Sequence, residues 1–128
     1  MGTSSIIEFV ENKDNNYNTY IKIYQHFDGY PKYMGKNLIK FIKNKKKIKD
    51  FGFLICQYIN TIKHIDNMSI VPLNSNIEVN YYYIITYYKE TYKFTISIHS
   101  KNKPIYNFCK GYEMSIDFFD NELKKYNK

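Results

Sequence analysis

Residues 5–11 form a short, largely apolar run, and over residues 17–27 one face of a period-two pattern is greasy. These patterns predict two strands, joined by the polar turn Asn12-Lys13-Asp14-Asn15-Asn16. In the second strand Thr19, Ile21, Ile23, Gln25 and Phe27 share one face, while Asn18, Tyr20, Lys22, Tyr24 and His26 share the other. One greasy face in two is the mark of a half-buried antiparallel strand. Asp28-Gly29-Tyr30-Pro31 ends it, and Pro31 suits the first position of a helix, where its missing N–H has no partner to lose. The period then changes. Met34, Leu38, Phe41 and Ile42 fall at helical spacing, with Lys32, Lys36, Lys40, Lys43 and Lys47 on the opposite side.

Residues 51–65 predict a second helix, with Phe51, Leu54, Ile55, Tyr58, Ile62 and Ile65 inward and Gln57, Asn60, Thr61, Lys63 and His64 outward. Residues 68–73, ending beside Pro72, read as a short edge strand. Residues 78–88 and 92–100 predict a hairpin around Lys89-Glu90-Thr91. A turn at 101–104 leads to a last strand at 105–109. After Gly111, the recurrence of Tyr112, Ile116, Phe119, Leu123 and Tyr126 predicts a closing helix with acids early and Lys124 and Lys125 late, the charge order that suits the helix dipole. The order β-β-α-α-β-β-β-α predicts an α+β fold: an antiparallel sheet with helices packed mainly on one face. With no repeat and no long linker, residues 1–128 read as a single domain.

Charge sharpens this outline. The chain carries a formal net charge of +7, all its cationic groups being lysines. Eight of them (Lys32, Lys36, Lys40, Lys43, Lys45, Lys46, Lys47 and Lys49) lie between Lys32 and Asp50, and the remaining lysines and acids balance. Such a concentration points to nucleic acid or an anionic surface. Against it, arginine, which supplies the bidentate fork for phosphate and guanine, is absent. The abundance of Lys, Asn, Ile and Tyr, all with AT-rich codons, also fits a biased genome, in which the lysines form an ordinary solvated face.

Other compositional signals mostly exclude. Cys56 and Cys109 have no paired or metal-ligand spacing and both lie in apolar runs, where a free cysteine behaves as a small hydrophobe; a reducing, intracellular compartment follows. The first residues lack the regions of a signal peptide, and Ile6 breaks the myristoylation pattern after Gly2. No apolar stretch reaches the ~20 residues of a membrane span. Neither GxSxG, GxxxxGK[ST] nor GxGxxG occurs, so no catalytic residue and no cofactor is nominated.

Three constellations could carry chemistry. Tyr81, Tyr83 and Tyr87 project from one side of their strand and Tyr82 and Tyr88 from the other, so one set is less buried and free to stack on rings. His26 with Asp28 and His64 with Asp66 each pair an imidazole and a carboxylate two residues apart, a pattern open to an acid–base or metal site; polar residues at element ends explain it as well, and no metal ligand is assigned. His99 stands alone. Finally, Gln25, His26, Asp28, Tyr30 and Lys36 cluster at the strand-to-helix corner, and helix N-termini attract anions. There Asp28 can accept N–H bonds, Gly29 can take φ > 0 and Pro31 can start the helix.

The run Tyr24-Gln25-His26-Phe27-Asp28-Gly29-Tyr30-Pro31, with Gly35-Lys36 and Leu38, resembles a family of small phage and large-DNA-virus proteins. Its members tend to begin Met-Gly-Thr-x-Ser, as here with Ser5, and carry Tyr-x-x-x-Asp-Gly-Tyr-Pro-x-x-x-Gly-Lys-x-Leu between a hairpin and a helix. Phe51-Gly52-Phe53-Leu54-Ile55-Cys56-Gln57 is weakly similar to the start of their second helix. The family has no assigned activity, so the resemblance implies a viral source, with action in the host cytoplasm, and no reaction chemistry. Three functions follow as expectations. The first is a non-enzymatic binding protein engaging a host protein or a small nucleotide-like anion through Gln25, His26, Asp28, Tyr30 and Lys36. The second is a nucleic-acid binder using Lys32, Lys36, Lys40, Lys43 and Lys47 with exposed tyrosines. The third is a small metal-dependent enzyme using His26, Asp28, His64 and Asp66.

Overall fold

A computed structural model of the chain describes residues 3–43, 45, 48, 50–63, 68–101 and 108–125. Its first two strands, β1 (Ser5–Lys13) and β2 (Asn16–Gln25), pair antiparallel. The turn between them is two residues long, with Asp14 and Asn15 both at positive φ, 53° and 65°. Paired positive φ values match the twist of the flanking strands, and Asp and Asn tolerate them better than most residues. The hairpin is therefore tighter than the polar run suggests.

A register shift between Phe9 and Val10 changes the expected face assignment. Phe9 pairs with Ile21 but Val10 pairs with Thr19, which leaves Tyr20 as the extra residue of a bulge. One inserted residue reverses every side chain on its far side. Thr19 accordingly turns to donate to Glu8 Oε2 at 2.7 Å, while the Tyr20 ring meets Phe51 at 5.0 Å between centroids. Both positions are thus on the faces opposite to those expected from simple alternation.

Beyond β2, one π-helical turn (Pro31–Gly35) feeds α1 (Lys36–Lys43). Pro31 follows the N-cap Tyr30 as expected, and Tyr30 O accepts from Met34 N at 2.8 Å. Helix α2 (Phe51–Ile62) starts where Asp50 accepts from Phe53 N at 3.2 Å, a side-chain cap. Then come β3 (Met68–Val71), β4 (Tyr81–Tyr88), β5 (Lys93–Ser100), β6 (Met114–Ser115) and α3 (Ile116–Lys124). Ser115 caps α3 by accepting from Phe118 N, Asp117 lies in its first turn and Lys124 in its last.

The six strands form one sheet in the order β3-β2-β1-β4-β5-β6. Four pairings are antiparallel, but β1 and β4 run parallel from Ser5↔Tyr81 to Asn12↔Tyr88. The fold is α+β with a mixed, mostly antiparallel sheet, which corrects the expectation of an antiparallel one. Four strands follow the helices instead of three. The strand expected at 105–109 lies largely outside the described residues; the pairing with β5 is made by Met114–Ser115 and by a bridge from His99 to Lys110. Residues 112–115, expected at the head of the last helix, precede it. The two-residue strand and the Ser115 cap claim them.

The buried side chains of the π-turn and all three helices join one cluster with Ile7 and Phe9 of β1, Tyr81, Tyr83, Ile85 and Tyr87 of β4, and Phe94, Ile96 and Ile98 of β5. Aromatic rings dominate its centre. Phe9 lies 5.3 Å from Tyr58, Phe51 stacks on Tyr87 at 5.6 Å, and Phe119 meets Phe108 edge-on at 5.3 Å. Each such ring, fully removed from water, contributes about 1.5–3 kcal/mol. Among the described residues, no helix is long and apolar enough to cross a membrane.

Candidate functional site

The strand-to-helix corner is built on contact between backbones. Gly29 N donates to Thr3 O at 2.9 Å, and Gly29 O accepts the buried Tyr83 hydroxyl at 2.6 Å. A Cβ on Gly29 would stand 2.7 Å from Ser5 Cβ and 2.8 Å from Thr3 O, so only glycine fits. The positive φ of the turn, 59°, belongs to Asp28 and not to Gly29. The glycine is required for close approach, and the neighbouring Asp supplies the left-handed backbone it tolerates.

The five corner residues differ in exposure and partners. Gln25 is buried and its Nε2 donates to Phe27 O. His26 is exposed, with Nδ1 2.8 Å from the Tyr24 hydroxyl and its ring against Phe27 at 4.5 Å. Asp28, Tyr30 and Lys36 face solvent. Of the second histidine pair, His64 and Asp66 lie outside the described residues. Among those described, no group of three or more His, Cys, Asp or Glu is placed to hold a metal ion.

The basic ridge is more coherent. Lys32, Lys36, Lys40 and Lys43 are all exposed along the π-turn and α1, while Met34, Leu38, Ile39 and Ile42 are buried beneath. Lys47 lies outside the described residues. Neither helical segment has an acid in its first turn. Lys43 Nζ meets Asp120 of α3 at 2.7 Å; that hydrogen bond raises the Lys43 pKa and holds the Asp120 carboxyl below its usual range. At the end of the ridge, Lys45 Nζ lies 4.7 Å over the Phe41 ring.

The tyrosines divide as the alternation predicts. Tyr81, Tyr83 and Tyr87 are buried, and Tyr82 and Tyr88 are half-buried on the other face. On that face Tyr82 donates to Glu8 and Tyr88 donates to Glu113, at 2.7 Å to Oε2, while Lys22 Nζ lies 5.8 Å over the Tyr82 ring. Burial first, and these carboxylates second, push both phenols well above their ordinary pKa. The two hydroxyls are thus already engaged by carboxylates. Exposed rings beside the lysines lie elsewhere: Tyr30 and Tyr33, 6.1 Å apart, flank Lys32.

The remaining candidates have structural accounts. The His99 ring covers Gly111, which holds φ 87° and where a Cβ would come within 2.6 Å of it. Cys109 is buried, and burial pushes its thiol up to about 12. Cys56, expected to behave the same way, is exposed, because the predicted helix turns Leu54, Ile55 and Tyr58 inward and leaves Cys56 on its outer side. One residue escaped the sequence reading altogether: Tyr92, half-exposed, has φ 57° in the turn of the β4–β5 hairpin. Gly or Asn normally takes such a position, and a bulky side chain there costs about 1–2 kcal/mol. The signal available in sequence was a hairpin turn with neither.

Compared with known proteins, the chain matches no family model, no curated protein and no solved structure.

Proposed function

We propose that this is a non-enzymatic binding protein that engages nucleic acid along the lysine ridge of the π-turn and α1. One observation carries the reading. Lys40 and Lys43 sit in the last turn of α1, where a cation favours the helix. Lys32 sits in the first turn at the opposite end, where the dipole is positive and a cation costs roughly 0.3–1 kcal/mol. Helix stability therefore accounts for Lys40 and Lys43, gives no reason for Lys36 and opposes Lys32. Steps of four residues from Lys32 to Lys36 to Lys40 set successive positions about 6 Å apart along the axis, with Lys43 three residues further on and paired with Asp120, a line of charges suited to a phosphate chain. Exposed Tyr30 and Tyr33 beside Lys32 add ring faces of the kind that stack bases.

A small anion or a host protein held at the corner is less well supported, since Gln25 turns inward and His26 is engaged by Tyr24. A viral source and a host-cell setting belong to the same proposal and rest on the Asp-Gly-Tyr-Pro resemblance. The test is a variant with Lys32, Lys36 and Lys40 all changed to Gln, titrated with a labelled oligonucleotide. It should lose at least tenfold in affinity at about 100 mM salt, with thermal stability equal or improved. Unchanged affinity would remove the ridge from the interface.

A further inference from the structure

At the C-terminal end of the ridge lies a groove of about 300 Å³, at the lower limit for small-ligand sites. Ile42 and Ile116 give it apolar walls with Phe94, which is itself almost buried. Lys43, which is paired with Asp120, stands around it with Lys45 and Lys93, and the last two still outnumber the one lining carboxylate, Asp117. Tyr92 also lines it, on the left-handed backbone described above. An apolar slot with cationic sides and an aromatic wall has the chemistry of a nucleotide unit: a flat ring inside, phosphates outside.

We propose, building on the ridge reading, that this groove seats one base of a single-stranded nucleic acid, with Tyr92 as the ring it stacks on and Lys93 at an adjoining phosphate. Duplex DNA keeps its bases paired and offers only phosphates, so the groove selects the single strand. Strain at Tyr92 supports this placement. A glycine would relieve it, and would also remove the one aromatic ring of the turn.

The test uses the full chain and three probes: a labelled oligothymidylate, a duplex of equal length, and heparin, which has charge but no bases. Two variants separate ring from backbone. Tyr92→Asn keeps a residue that tolerates positive φ but deletes the ring, and Tyr92→Phe keeps the ring. Tyr92→Asn should weaken oligothymidylate binding about 5- to 150-fold, the range for one lost stacked base, and change heparin binding less than about twofold. Tyr92→Phe should restore single-strand affinity, and Lys93→Gln should weaken all three probes. Equal binding of single strand and duplex, or an unaffected Tyr92→Asn variant, overturns the groove while leaving the ridge standing. Loss of all three probes with the lysine-ridge variant, alongside an unaffected Tyr92→Asn, likewise removes the groove and keeps the ridge. Failure of the wild-type chain to bind any of them defeats both.

Discussion

Gly35 shows how much one hydrogen atom can decide. It closes the π-turn, and a Cβ there would stand 2.6 Å from Phe119 Cζ. Phe119 is fully buried against Phe108 and has nowhere to retreat. Overpacking of this kind costs roughly 1–3 kcal/mol, against which alanine's better helix propensity returns up to about 1. Gly35→Ala should therefore lower the urea midpoint by an amount worth about 1–2 kcal/mol, with the m-value unchanged. Both glycines of the Asp-Gly-Tyr-Pro-x-x-x-Gly run are thus fixed by contacts across the fold: Gly29 by Thr3 and Ser5, Gly35 by Phe119. Sequence reading recognised them as special and assigned Gly29 the wrong reason. Its partners are 24 and more positions away, and no local pattern reports them. The positive φ at Asp28 and Tyr92 was equally hidden, because neither is a residue that requires it.

Elements were legible wherever a single period ran unbroken. The apolar stripe of α1, the buried set of α2 and the inward tyrosines of β4 all follow their spacing. Reading failed where the period changed within an element, as at the bulge that turns Thr19 and Tyr20 over, and where a pattern served two structures, as at residues 112–115. How elements meet was less visible still. The Lys43–Asp120 pair joining α1 to α3 illustrates this, and it yields a pH dependence. The folded Asp120 carboxyl is held below its unfolded value near 4, so its contribution is present above that value and is lost as pH falls through the folded one. Asp120→Asn should lower Tm by roughly 2–4 °C at pH 7, and its curve should merge with that of the wild type once the pH has fallen below the lowered Asp120 value.

For the molecule as a whole, the class of fold followed from the order of strands and helices, but the parallel β1–β4 pair did not. Both strands are largely buried along their length, and apolar content says that a strand is central without saying which neighbour it takes. The distribution of charge was the more informative global feature. The excess of lysines falls between Lys32 and Asp50, and the remaining lysines and acids balance, so the net charge is concentrated in one segment of the chain. Of the corner residues Gln25 is buried while His26, Asp28, Tyr30 and Lys36 are exposed, and Lys32, Lys36, Lys40 and Lys43 of the ridge are exposed as their helical spacing predicts.

The most direct measurement is the slope of log affinity against log salt for the wild-type protein and a single-stranded oligonucleotide. Three or four ammonium groups each neutralising one phosphate require a slope of about −2 to −3. A slope near zero with retained affinity would mean that the strand is held without the lysines, and the ridge would be no more than a solvated helix face.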